Sequence, residues 1–214
     1  MAYIEIINYT KAINKNIVLD NINLSFNKGK IYGLVGKNGS GKTMLIRAIC
    51  GLITADKGEI SVDGLKVGNG IYPKSIGIVI ENINLFDYIS AYENLKMLNN
   101  ISKNKIDNND IKMWLKKFNL DENDKRNIKK YSLGMRQKVS LIQAFMNKPE
   151  LIILDEPTNA LDEDSIKILT DIIKETNKNE NTTFIIASHD KESLYNLCDK
   201  TVEMRDGKVV QKSL

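Results

Sequence analysis

Apolar positions in the first third of the chain fall in short runs of β type. They cover Tyr3–Ile7, Ile22–Phe26, Ile31–Val35, Glu59–Val62 and Ile76–Ile80, with Lys28-Gly29 and the turn dipeptide Asp63-Gly64 as punctuation. Two later runs, Leu151–Leu154 and Thr183–Ala187, are almost continuously apolar. That pattern predicts parallel strands buried on both faces at the centre of a sheet. Thr201–Arg205 and Lys208–Val210 flank Asp206-Gly207 and predict a closing antiparallel hairpin. Helical spacing takes over where Ile111, Trp114, Leu115 and Phe118 recur on one face amid lysines. The same period predicts helices over Glu93–Asn99, Met135–Asn147 and Ser165–Thr176, the last introduced by acidic residues that suit a helix N-terminus. Between Asn82 and Tyr131 the β signals vanish, so this stretch reads as a helical insertion.

The expected fold is therefore α/β, a mainly parallel sheet with an antiparallel β lobe from the N-terminal third. One domain over 1–214 has its core in 1–81 and 132–214 and a helical subdomain at 82–131. A chain of 214 residues with 42% hydrophobic content is long enough to bury such a core. The formal charge of +4 arises from scattered basic residues rather than a stripe that could follow a phosphodiester backbone, so no nucleic-acid partner is expected. The apolar runs are strand-length, well short of the roughly 20 residues a membrane helix needs. Met1–Asn8 lacks the basic and apolar regions of a signal peptide, which predicts a cytoplasmic protein. Cys50 and Cys198 form no CxxC or Cys/His cluster, so neither a zinc site nor a disulfide is supported, and both read as small buried thiols.

Candidate chemistry enters at Gly36-Lys37-Asn38-Gly39-Ser40-Gly41-Lys42-Thr43, which fits GxxxxGK[ST] between the strand Ile31–Val35 and the helix-like Met44–Ile49. The glycines let backbone N–H groups turn around phosphate oxygens, and the following helix adds its unpaired N–H groups and positive dipole end. Lys42 is expected to reach the β- and γ-phosphates of ATP, and the Thr43 hydroxyl to ligate Mg²⁺. The apolar strand Leu151–Leu154 ends in Asp155-Glu156, where open α/β sheets place their chemistry. Asp155 can hold Mg²⁺ and Glu156 can orient or deprotonate the attacking water, although an apolar run ending in two carboxylates is by itself also an ordinary solvated strand end.

The order of the phosphate loop, Tyr131-Ser132-Leu133-Gly134-Met135-Arg136-Gln137, Leu154-Asp155-Glu156-Pro157-Thr158, Asn159-Ala160-Leu161-Asp162 and Ser188-His189 resembles the nucleotide-binding domains of ABC transporters. It spans nearly the whole chain, and Gly134 stands 21 residues before Asp155, as that family's signature does. The resemblance implies that Ser132 and Gly134 aim a helix N-terminus at ATP held by the phosphate loop of a second subunit. Asp162 would face the partner across the same interface, though it also suits a plain helix cap. His189, the single histidine, follows the strand Thr183–Ala187 and stands 34 residues after Asp155, matching the family's switch histidine on the γ-phosphate. A lone histidine is otherwise usually structural. The membrane-spanning part would be a separate permease, and the chain would sit peripherally on the cytoplasmic side of the membrane, with the permease's cytoplasmic helix near Glu81 and 82–92.

Three positions depart from the family pattern. Glu81 stands where Gln usually touches Mg²⁺ and the attacking water, and it resembles the ATPase subunits of lantibiotic-immunity transporters. That implies a peptide or antibiotic substrate and a carboxylate near the metal and γ-phosphate. Ile13, 23 residues before Gly36, stands in the slot of the aromatic residue that stacks on adenine. Tyr9 is the only nearby aromatic substitute. The signature reads Ser-Leu-Gly-Met, keeping the Ser and the second Gly. Two other classes share the phosphate loop: soluble ATPases acting on ribosomes or DNA, and subunits that bind ATP without turnover. The first usually carry a second such domain or a long coiled-coil insertion, and the second typically lose residues such as Lys42, Asp155, Glu156 and His189.

Overall fold

The computed structural model describes residues 2–80 and 85–213. Its centre is a six-stranded sheet in the order β10-β9-β3-β8-β7-β6, built from β3 (Ile31–Val35), β6 (Ile76–Val79), β7 (Leu151–Asp155), β8 (Thr183–Ser188), β9 (Lys200–Arg205) and β10 (Lys208–Ser213). All pairs are parallel except the β9–β10 hairpin. A second, antiparallel sheet joins β1 (Ile4–Ile13), β2 (Asn16–Phe26), β4 (Lys57–Val62) and β5 (Leu65–Lys66). The expected parallel core and antiparallel β lobe are both present.

Alternation along the buried strands divides the interior in two. Tyr32 and Leu34, Leu151 and Ile153, and Ile185 and Ala187 face one side, with the antiparallel sheet and α1 (Lys42–Ile49). Ile31 and Val35, Ile152 and Leu154, and Phe184 and Ile186 face the other, with α2 (Ala91–Ile101), α3 (Asn108–Lys117), α4 (Leu133–Phe145) and α5 (Glu163–Glu180). Successive side chains of a strand point to opposite faces, so an unbroken apolar run serves both cores. The helical stretch consequently shares its core with the sheet: Leu95, Ile111, Leu115 and Phe118 belong to the same cluster as Phe145 and Phe184.

Local signals start these helices. Ser90 and Glu93 form a reciprocal capping box on α2, Asp107 accepts from two backbone N–H groups of α3, and Ser132 and Asp162 cap α4 and α5. Asn181 ends α5 in the left-handed conformation at φ 54°.

Four elements depart from the hydrophobic pattern. β1 and β2 run far beyond Tyr3–Ile7 and Ile22–Phe26 because their register shifts, with Asn8 and Asn21 at positive φ, interrupt the alternation. β5 has two residues, and α6 (Lys191–Leu197) has two turns, too short for a period to show. Asp190 caps α6 through the N–H groups of Glu192 and Ser193.

β6 and α4 approach so closely that only a glycine fits. A Cβ added to Gly77 would lie 1.9 Å from the Ala144 carbonyl oxygen, a backbone atom that cannot rotate away. Gly77→Ala is expected to destabilise the protein by about 3 kcal/mol, measured as a lowered urea midpoint.

Candidate functional site

The fully buried strand β3 delivers the chain to the loop 36–41, and α1 starts at Lys42. Gly39 and Gly41 hold φ of 80° and 102°, the conformations for which glycine is suited. Gly36 is small for another reason: an added Cβ would meet the Met204 carbonyl oxygen and Ser40 Oγ, each at 2.5 Å. Lys42 is 5% exposed, and its ammonium donates to the carbonyl oxygens of Gly36 at 2.6 Å and Lys37 at 3.3 Å.

Parallel pairing brings the other predicted residues to the same sheet edge. Val35 pairs with Ser188 and Asp155 with Ala187, so the loops after all three strands emerge together. Thr43 Oγ1 donates to Asp155 Oδ2 at 2.6 Å. Glu156 leaves β7 at φ 47° while its N–H still donates to the Ala187 carbonyl at 2.9 Å. Its carboxylate accepts from the His189 N–H at 2.9 Å and from Ser188 Oγ at 3.3 Å, and His189 Nδ1 lies 2.9 Å from Oε2. Lys42 Nζ stands 3.9 Å from the other oxygen of the same carboxylate.

Several of these groups border a cavity of about 640 Å³ lined by Asn38, Gly39, Ser40, Gly41, Lys42, Thr43, Met44, Asp155 and Glu156, with Ile17, Val18, Asp206 and Gly207 completing its walls. Pattern reasoning missed the last four, which have no motif and enter by tertiary packing: the Gly207 N–H donates to the Ser40 carbonyl at 3.0 Å. Ile13 lies at the end of β1, beside the two-residue turn to Asn16. The apolar residues on the cavity wall are Ile17, Val18 and Met44. Tyr9 is not on that wall. Its ring is 3% exposed, its hydroxyl donates to the Ile53 carbonyl, and burial pushes the phenol up to about 12. Glu81 lies outside the described residues.

Ser132, Gly134 and Asp162 form a second cluster, also outside that wall. Ser132 Oγ accepts from the Met135 N–H at 3.2 Å, leaving other first-turn N–H groups of α4 without intrahelical partners. A Cβ on Gly134 would sit 2.5 Å from the Ala160 carbonyl oxygen, and buried Gln137 donates to the Pro157 carbonyl at 3.1 Å. Asp162 caps α5 at Ser165, which holds its carboxyl below the usual range. The start of α4 and the loop 157–162 are thus locked together.

The sequence profile described as ABC transporter matches residues 19–159. The chain belongs to the ABC transporter family. It is 44% identical to an uncharacterized ABC transporter ATP-binding protein, YybJ, of Bacillus subtilis, over 96% of this chain and 94% of that protein. It is 35% identical to the lantibiotic transport ATP-binding protein SrtF of Streptococcus pyogenes, over 97% of this chain and 89% of the other. In fold it superposes on a dimeric ATP-binding cassette solved in a post-hydrolysis state with ADP and Pi, at a TM-score of 0.88 and 24% identity, covering 98% and 97% of the two chains. The protein is the ATP-binding subunit of an ABC transporter and an ATPase.

The cavity suits ATP with Mg²⁺. Among the described residues Ser40 Oγ is buried without a hydrogen-bond partner and a Cβ on Gly39 would meet nothing within 4 Å, so the loop keeps space and polar capacity for an anion. The Thr43 hydroxyl and the Asp155 carboxylate are hard oxygen donors already in contact. Among the described residues no group of three carboxylates, imidazoles or thiols gathers. That scarcity fits Mg²⁺, which takes one or two protein oxygens and fills its shell with phosphate and water. Gly134→Ala is expected to cut ATP hydrolysis at least about tenfold, because the methyl must displace the Ala160 carbonyl, while nucleotide binding to the isolated subunit changes less than about twofold. Steady-state phosphate release and a fluorescent-nucleotide titration check the two halves.

Proposed function

We propose that this chain pairs with a second nucleotide-binding subunit, a copy of itself or a close relative, and that the pair closes around ATP to drive a separate integral membrane permease. The observation that carries the reading is the division of predicted site residues into two clusters on one chain. Phosphate loop, Asp155 and Glu156 border one cavity, with His189 held on the Glu156 carboxylate, while Ser132, Gly134 and Asp162 stand together elsewhere with helix N–H groups available. A helix N-terminus without an anion on its own chain is suited to an anion held by another. The solved relative named above is itself a dimer. The domain division follows the same reading: core at 1–81 and 132–214, helical subdomain at 82–131.

The residue roles are proposed from the family resemblance together with the contacts described above. Gly36, Asn38, Gly39, Ser40, Gly41 and Lys42 wrap the phosphates, and Lys42 would exchange the carbonyls of Gly36 and Lys37 for β- and γ-phosphate oxygens. Thr43 and Asp155 would hold Mg²⁺, which neutralises charge on the phosphates when bound. Glu156 would accept a proton from the water that attacks the γ-phosphate, and His189 would move from that carboxylate to the γ-phosphate. Glu81 is assigned to the metal and the attacking water. Hydrolysis reopens the pair.

A permease site is supported by a second cavity of about 460 Å³, lined by Leu52, Ile53, Ile78, Ile80, Leu85 and Leu98 with Arg47 and Gln143 at its edges. Leu85 of its lining belongs to the segment expected to meet the permease, and Phe86 and Tyr88 of the same segment are exposed. No helix among the described residues is long and apolar enough to cross a membrane, and the proposed location is the cytoplasmic face, held by the permease. For substrate we assign a peptide or peptide antibiotic, supported by the similarity to SrtF and by Glu81.

Glu156→Gln is expected to lower ATP turnover at least about a hundredfold and to trap an ATP-dependent dimer visible by size-exclusion chromatography with light scattering. A variant that hydrolyses ATP normally, or stays monomeric with ATP, would sink the trans-site reading. For Glu81→Gln the expected outcome is a changed ATPase rate and changed peptide resistance in cells carrying the cognate permease. No change in either would remove Glu81 from the mechanism.

A further inference from the structure

The ATP cavity contains a carboxylate that phosphate chemistry does not explain. Asp206 lies on its wall beside Ile17 and Val18, at a turn expected from sequence only to close a hairpin. The turn is built into the phosphate loop. The Gly207 N–H donates to the Ser40 carbonyl at 3.0 Å, the Gly207 carbonyl accepts from the Asp20 N–H at 2.8 Å, and a Cβ on Gly207 would meet the Val18 carbonyl oxygen at 2.7 Å. Asp206 itself holds φ 48°, a left-handed conformation that Asp tolerates in such turns. Its position is therefore set by Ser40 on one side and β2 on the other.

The charges around it are committed elsewhere. Lys208 pairs with Asp20 at 3.1 Å, and Arg205 lies 4.0 Å from Glu203. Among the described residues Asp206 has no hydrogen-bond or ion-pair partner. A carboxylate facing a cavity that receives a polyphosphate opposes binding through like-charge repulsion, unless it meets hydrogen-bond donors. ATP carries such donors only in its nucleoside half, as the ribose hydroxyls and the 6-amino group of adenine. Ile17 and Val18 on the same wall offer the apolar contact that a base requires, without an aromatic face.

We propose that Asp206 is a specificity-determining residue that accepts a hydrogen bond from the adenosine half of ATP, supplying recognition where aromatic stacking is missing. This rests on the reading of the cavity as the ATP site. The test is a set of dissociation constants for ATP, 2′-deoxy-ATP, 3′-deoxy-ATP and ITP, by competition against a fluorescent ATP analogue. Wild type, Asp206→Gly and Asp206→Asn are compared, since Gly and Asn both keep the left-handed turn. Asp206→Gly is expected to weaken ATP about five- to tenfold, the size of one ordinary hydrogen bond, and Asp206→Asn less. The analogue lacking the contacted donor should bind wild type and Asp206→Gly alike, which assigns the ribose or the 6-amino group. ATP binding to Asp206→Gly as tight as or tighter than wild type, as a purely repulsive carboxylate requires, overturns the proposal. So does an equal weakening of all four nucleotides. Failure of the wild type to bind ATP at all would overturn the ATP-site reading and this proposal together.

Discussion

Parallel pairing of β3, β8 and β7 holds every other feature in place. Val35 lies beside Ser188, and Asp155 beside Ala187, and all three strands are buried on both faces. A slip of one residue would exchange the side chains that face the helices with those that face the antiparallel sheet, so both cores oppose it. The residues that follow the strands must then emerge at one edge. That is how a phosphate loop and two carboxylates more than a hundred residues further along come to share a cavity, with a histidine on one of the carboxylates.

Within that edge the charges are balanced by the chain itself. The Lys42 ammonium, nearly withdrawn from water, is satisfied by two loop carbonyls and approaches Glu156, while Glu156 is held by the backbone and side chain of His189 and by the Ser188 hydroxyl. Burying a cation without such partners would be costly. An arriving polyphosphate offers stronger acceptors than the carbonyls it displaces. On the proposed reading, the same groups become available to the nucleotide by local rearrangement.

The helical stretch is joined to this edge in two ways. Its apolar residues share a core with the sheet, and the start of α4 meets the loop after β7 through Gly134 against Ala160 and Gln137 against Pro157. Movement of α4 must carry the loop 157–162 or break these contacts. On the proposed reading, the cluster offered to a partner is mechanically tied to the carboxylates that act on the chain's own ATP.

Sequence alone determined the elements with a strong period and the residues with a fixed local grammar. The apolar runs marked the central strands, the acidic residues before α5 marked its start, and the phosphate loop with Asp155-Glu156, Ser132, Gly134 and His189 supplied the candidate chemistry, because each signal lies within a few consecutive residues. Tertiary structure alone decided the bulged lengths of β1 and β2, the presence of Ile17 and Val18 on the cavity wall, and the docking of Asp206-Gly207 on the phosphate loop. Those depend on contacts such as Gly207 with Ser40 and Val18, across more than 160 positions. Hydrophobic period and motif spacing describe neighbours along the chain, whereas a cavity is made by whichever surfaces the packed core leaves facing one another.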